Sequence, residues 1–253
     1  MGRTSMGKEC NIQIRTFVLF NDVCYSNFMP RAQSSVRPTP VKNKKKPLQR
    51  QARGLRTREA ILARAVDIAS VEGLEGLTVG SLAEQLGMSK SGLFAHFGSK
   101  EELQLATVEA ARLRFIDKVT APAICATKGM PRLWRLIDFW LSSGEKSVFK
   151  GGCFFSAASF EFDSRRGPVR DRVSAIMREW IEAIARAVKL AQEAGHLDPK
   201  LEATRLAFEL HAIAMSGHWA HQLLDDTKAY ARARAIALDK LRSVATAGCP
   251  QLP

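Results

Sequence analysis

The sequence predicts an all-α protein: an N-terminal three-helix domain with a helix-turn-helix, followed by a larger helical domain. Three observations predict it. Apolar residues recur at helical spacing through most of the chain, and strand-like alternation is absent. Two short helical patterns at 78–97 are split by a turn containing Gly87. Two long, capped, amphipathic patterns follow at about 168–194 and 199–224. The chain divides into a basic, disordered extension (1–54), a helix-turn-helix domain (55–100), a helical body (101–246) and a loose tail (247–253).

Residues 1–29 read as neither a good helix nor a targeting peptide, and Met29-Pro30 is an alternative translation start. Residues 30–54 are rich in Pro, Ser and Lys/Arg, the composition of a disordered segment. Charge is concentrated here. Of the formal net charge of +13, residues 1–54 carry 11 Lys+Arg against 2 Asp+Glu, a net of +9. The Lys42 and Lys44-Lys45-Lys46 cluster reads either as a phosphate-binding arm or as a solubilising linker.

The first helix is expected from about Leu55 to Val71, with Ile61, Leu62, Ala65, Ile68 and Ala69 on its inner face and Gly73 and Gly76 closing it. Thr78 is an N-cap residue type, and Leu82, Ala83 and Leu86 share one face of the helix after it. Gly87 supplies the positive φ that ends this helix. Ser89 caps the second short helix, whose apolar positions are Leu93, Phe94 and Phe97. Gly98-Ser99 breaks the chain again, and Ser99 with Glu102 makes a capping box for a longer helix running to about 121.

The run RTREAILARAVDIASVEGLEGLTVGSLAEQLGMSKSGLFAHFGSKEELQL, residues 56–105, resembles the DNA-binding domain of the TetR family of bacterial transcriptional regulators. The resemblance rests on the leading amphipathic helix, Gly73, Thr78, Gly87, Leu93-Phe94-Ala95-His96-Phe97 and Ser99-Lys100 at these spacings. It implies that Thr78, Ser89, Lys90, Ser91, Gly92, Phe94, His96 and Lys100 face double-stranded DNA, Lys100 as a phosphate contact. His96 either caps the recognition helix or touches phosphate, and Phe97 reads as core. Two positions depart from the family pattern. Phe94 stands where a Tyr usually bonds a phosphate, and Gly80-Ser81 where an Arg is common. Fewer backbone contacts from the module are expected, offset by the lysine arm.

Past Pro131 the expected helices are 131–143, the aromatic 153–163, the two long ones, and 227–245. Phe115, Trp134, Trp140, Cys153, Phe154 and Phe160 are candidates for an apolar effector pocket, against the plainer reading of ordinary core. The resemblance implies a four-helix homodimer interface built from two long helices of each subunit. Trp180, Ile184, Leu210, Ile213, Gly217 and His221 are its candidates here. His211, His218 and His221 fall within ~80° on one helical stripe, open to three readings: interface, pocket or metal site. Two turns separate the first pair, too far for one ion without further ligands.

Five cysteines with no CxxC spacing argue for free thiols in a reducing cytoplasm rather than a disulfide framework or zinc site. No apolar run reaches the ~18 residues of a membrane span. No nucleophile elbow, phosphate loop or HExxH occurs, and no cofactor is expected. The reading is a homodimeric, ligand-responsive repressor that binds a palindromic operator and is released by a small apolar or aromatic effector. The rivals are an architectural DNA binder without operator preference and an enzyme with an incidental helix-turn-helix.

Overall fold

The computed structural model describes residues 45–253, and the expectations for Met29, Lys42 and Lys44 lie outside them. The elements are α1 (Lys45–Gly76), α2 (Val79–Gln85), α3 (Lys90–Phe97), α4 (Lys100–Phe115), a π-helical turn (Ile116–Thr120), α5 (Ala121–Ile124), α6 (Met130–Glu145), α7 (Phe154–Phe162), α8 (Pro168–Glu193), α9 (Ala203–Leu224) and α10 (Ala229–Ser243). No strand forms among the described residues beyond one antiparallel bridge, Leu197 to Ala245. None of their helices is long and apolar enough to cross a membrane.

α1 begins at Lys45, ten residues before the expected Leu55, so 45–54 is not the disordered extension that its composition suggested. Pro47 falls in the first turn, where a missing N–H costs nothing, and the Leu-Gln-Arg-Gln-Ala-Arg run after it consists of good helix formers. Ile61, Ala65, Ile68 and Ala69 are buried as the periodicity requires. At Gly73 the backbone turns to φ 81°, and the helix breaks there. The peptide N–H groups after the break lose their helical acceptors. Glu161 of α7 replaces them: its carboxylate accepts from Leu74 N at 2.9 Å and Glu75 N at 2.8 Å.

The head therefore joins the body through more than α4. Ser70 Oγ accepts from Gly151 N at 3.2 Å. A Cβ on Gly151 would overlap the Ser70 carbonyl oxygen, so glycine is required by contact. Asp67 binds Arg114 at 2.7 Å and Lys150 at 3.4 Å. Burial works against the Asp67 anion, but the two cations outweigh it and hold the carboxyl below its ordinary range.

Within the body α8 is the central helix. Val173, Ile176, Trp180, Ala183, Ile184, Ala187, Val188 and Ala191 are all buried along it. Arg172 of α8 binds Glu109 of α4 and, at 3.6 Å, Glu179, which also takes Arg112 of α4 at 3.4 Å. α9 starts at Ala203 rather than 199, because Asp198-Pro199 forms a turn held by Gln192 Nε2 donating to the Asp198 and Leu201 carbonyls. The tail is not loose. Thr246 N donates to His196 O at 3.1 Å, Arg242 donates to the Pro253 carbonyl, and Leu252 packs against the core. Cys153 and Cys249 are free thiols.

Candidate nucleic-acid interface and effector site

Local capping builds the recognition unit. Thr78 Oγ1 accepts from Ser81 N at 3.1 Å, and Ser89 Oγ accepts from Gly92 N at 3.0 Å, so each short helix has one of its free amides satisfied. Leu82, Ala83, Leu93 and Phe97 point inward and lock α2 against α3. The outer face of α3 is left with Lys90, Ser91, Phe94 and Ala95 exposed and His96 half-buried. Phe94 is 52% exposed, so the core reading fails for it and holds for Phe97. His96 packs its ring against Phe97. Thr78 and Ser89 are thus caps first, with exposed side chains beside the same face.

Lys100 lies elsewhere than expected. Its Nζ donates to Glu75 O at 2.8 Å and Glu75 Oε2 at 3.0 Å, closing the C-terminal end of α1. Gln104 reaches the same place, donating to Leu74 O at 2.8 Å. Lys100 is an internal staple of the head in this conformation, not a free phosphate ligand. Its bond, with that of Gln104, holds the Glu75 carboxyl below the usual range.

In the body, a chain of touching rings runs from the head joint inward. Phe149 lies under the Arg114 guanidinium and touches Phe154, then Phe155, Phe115, Trp180 and Trp140 follow in sequence. Trp140 meets His211 and His218, with ring centroids at 5.2 and 5.4 Å, and His218 meets Tyr230. Phe115, Trp134, Trp140, Cys153 and Phe154 are all buried, as a pocket or core requires. Phe160 is not: on the nine-residue α7 it faces outward and is 63% exposed. Sequence reasoning missed Trp180 as a member of this group, since it lay on a helix assigned to pairing; for His211 and His218 the pocket was one of three open readings.

The histidines do not converge. His218 Nδ1 pairs with the Tyr230 hydroxyl at 3.1 Å, and His221 Nδ1 lies 3.3 Å from Asp226 O and stacks on Tyr230. Among the described residues no group of three or more His, Cys, Asp or Glu could hold a metal ion. Burial, aided by the neighbouring His221 and His211, lowers the His218 pKa to about 4, and burial pushes Tyr230 up to about 12. His211 is lowered by burial as well.

The dimer candidates need correction. Trp180, Ile184, Leu210 and Gly217 are buried inside the chain, Gly217 directly against Ala233 of α10. Ile213 is half-buried against the core, and His221 is taken up by Tyr230 and Asp226. The outward stripe of α9 is instead Phe208, Ala212, Trp219 and Leu223, all within ~60° on the helix. Phe208 is 68% and Trp219 50% exposed. α8 turns charged residues outward, Arg178, Glu182, Arg186 and Lys189, and has no comparable apolar face.

A helix-turn-helix head on an all-helical body, with an exposed recognition helix, defines a DNA-binding regulator. The family model described as "Bacterial regulatory proteins, tetR family" matches residues 61–107, and that of the "Tetracyclin repressor-like, C-terminal domain" matches residues 129–237. The chain belongs to the TetR family. No curated protein sequence matches it. Among solved structures it is similar to a TetR transcriptional regulator from Chloroflexus aurantiacus, at 26% identity and TM-score 0.69 over 77% of this chain and 98% of that one. A TetR-family regulator from Cytophaga hutchinsonii is similar at 18% identity and TM-score 0.69, over 77% and 97% of the two chains. So is AibR, solved with isovaleryl coenzyme A and operator DNA, at 18% identity and TM-score 0.57 over 74% and 97%.

Proposed function

We propose that this protein is a sequence-specific repressor that binds a palindromic operator as a homodimer and is released by a small effector. The observation that carries the reading is the face of α3, where Lys90, Ser91 and Phe94 stand clear of a helix anchored from behind by Leu93 and Phe97. Side chains so placed reach base edges and phosphates when the helix lies in the major groove. The α9 stripe of Phe208, Trp219 and Leu223 supplies the subunit contact, and two-fold pairing sets two recognition helices on successive grooves. AibR, on the same fold, holds both an acyl-coenzyme A and an operator, which supports effector control here. The domains assigned are a helix-turn-helix head at 55–100 and an effector and pairing body at 101–246, in a cytoplasmic protein.

Effector binding among the rings from Trp140 to Phe154 would displace α7 and the 146–153 loop. Both hold the head, through Glu161 and Gly151. The effector acts only to the extent that it favours the arrangement with the wrong separation of recognition helices. Selection of duplexes from a random pool by the purified full chain tests the reading. An inverted repeat with half-sites about one helical turn apart supports it. Retention at low salt with no motif refutes it and leaves an architectural binder.

A further inference from the structure

Among the described residues, four buried side-chain nitrogens lack a hydrogen-bond partner: Trp140 Nε1, Trp180 Nε1, His211 Nε2 and His218 Nε2. All four belong to one cluster. Trp180, His211 and His218 each touch the Trp140 ring, with centroids 5.2–5.4 Å away. An unmet buried donor costs about 1–3 kcal/mol, and native interiors keep such groups few. Chance would scatter them through the body. Their concentration around one ring marks a place whose polar partners arrive from outside.

Indole nitrogens are donors only, so Trp140 Nε1 and Trp180 Nε1 each bring an N–H to this place. His218 Nδ1 shares a hydrogen bond with the Tyr230 hydroxyl at 3.1 Å. Two N–H donors therefore gather at Trp140, with the Nε2 atoms of His211 and His218 beside them. Among the described residues no Arg or Lys lies over a ring of the cluster, and burial lowers the pKa of both histidines, favouring the neutral form. A bound carboxylate would have no counter-charge, which makes its desolvation expensive. A neutral oxygen acceptor meets the donors without that cost.

We propose that this cluster is the polar end of the effector site and that the effector is an uncharged apolar molecule carrying a carbonyl oxygen, held by the indole N–H groups of Trp140 and Trp180. The proposal rests on the reading of the body as an effector-binding domain and adds the ligand's chemistry to it. The four nitrogens are sealed from solvent in the ligand-free chain, so occupancy parts the rings between α6, α8 and α9.

The test uses the full-length dimer labelled with 15N-tryptophan, whose four indole N–H signals are assigned by single Trp→Phe variants. Acetophenone, ethylbenzene and benzoate, sharing one ring, are titrated to millimolar concentration. The expected result is that acetophenone shifts the Trp140 and Trp180 signals and leaves Trp134 and Trp219 in place. It should bind about tenfold or more tightly than either comparison probe. Trp180→Phe should weaken acetophenone about three- to tenfold and leave ethylbenzene unchanged. Equal response to all three probes, tightest binding of benzoate, or no response to any would overturn the proposal. Duplex selection on the same preparation separates the two readings. A recovered operator with no carbonyl preference refutes this inference alone, and a failure to recover any motif refutes the regulator itself.

Discussion

Replacing Glu161 with alanine removes the side chain that, among the described residues, supplies acceptors to the amides of Leu74 and Glu75 released by the break at Gly73. Both lost bonds are charge-assisted, at 2.9 and 2.8 Å, and a bond of that kind contributes about 1.5–3 kcal/mol. Glu161 is half-buried, so water recovers part of the loss at Glu75, while Leu74 is almost fully enclosed. The expected destabilisation is about 2–4 kcal/mol, most of it local to the head. Two assays read it. Urea unfolding of the full chain gives the global change, and hydrogen exchange across 70–78 gives the local one. The amides of Leu74 and Glu75 should lose protection by about ten- to a hundredfold, with Glu161→Gln, which keeps one acceptor oxygen, in between. Wild-type protection at both amides, or a urea midpoint shift worth less than about 0.5 kcal/mol, would refute the argument that α7 holds the head.

Four further outcomes follow from the geometry. His218, neutral and buried with its pKa near 4, takes up a proton on unfolding once pH falls below about 6.5, so stability is full above that value and declines toward pH 4. The loss attributable to it is about 3 kcal/mol, and the urea midpoint should fall less between pH 7 and pH 4.5 in His218→Phe than in the wild type; an equal fall in both would contradict the assignment. Phe94→Tyr restores the hydroxyl that the family uses on a phosphate and should tighten operator binding about three- to tenfold without altering stability, measured by fluorescence anisotropy. Lys90→Met should lower the salt dependence of operator binding by about one counterion, whereas Lys100→Met, removing a cation already paired with Glu75, should leave that slope unchanged. Trp219→Glu, at the centre of the exposed α9 stripe, should give a folded monomer by analytical ultracentrifugation, and a persistent dimer would place pairing elsewhere.

The head was legible because its determinants are local. Thr78, Ser89 and Ser99 each cap within three residues of their own position, and sequence spacing records such bonds directly. The partner of Lys100 was not legible, since Glu75 approaches only after Gly73 has turned the chain. In the body, helical periodicity identified the helices but not which apolar face looks inward. α9 is apolar on both sides, and its larger exposed residues, Phe208 and Trp219, lie opposite Leu210 and Gly217. Only the neighbours α8 and α10 decide between them. Phe160 was misplaced for the same reason, α7 being apolar nearly all round. The tail looked loose because its anchors, His196 and Gly195, lie fifty residues away in sequence.

The contact between Gly151 and Ser70 bears on how this protein can be recombined. A chimera that grafts the head onto a foreign body by cutting just after residue 100 would carry α1 with its break at Gly73 and the Lys100 staple, and leave behind the body groups that complete the seal. Gly151, Lys150 and Glu161 travel with the recipient, and any residue larger than glycine at the first of these pushes α1 away. Transplantable specificity therefore resides in a discontinuous unit: the head together with the loop at 146–153 and the last turn of α7. Regulators that share this arrangement should exchange heads only when both pieces move together.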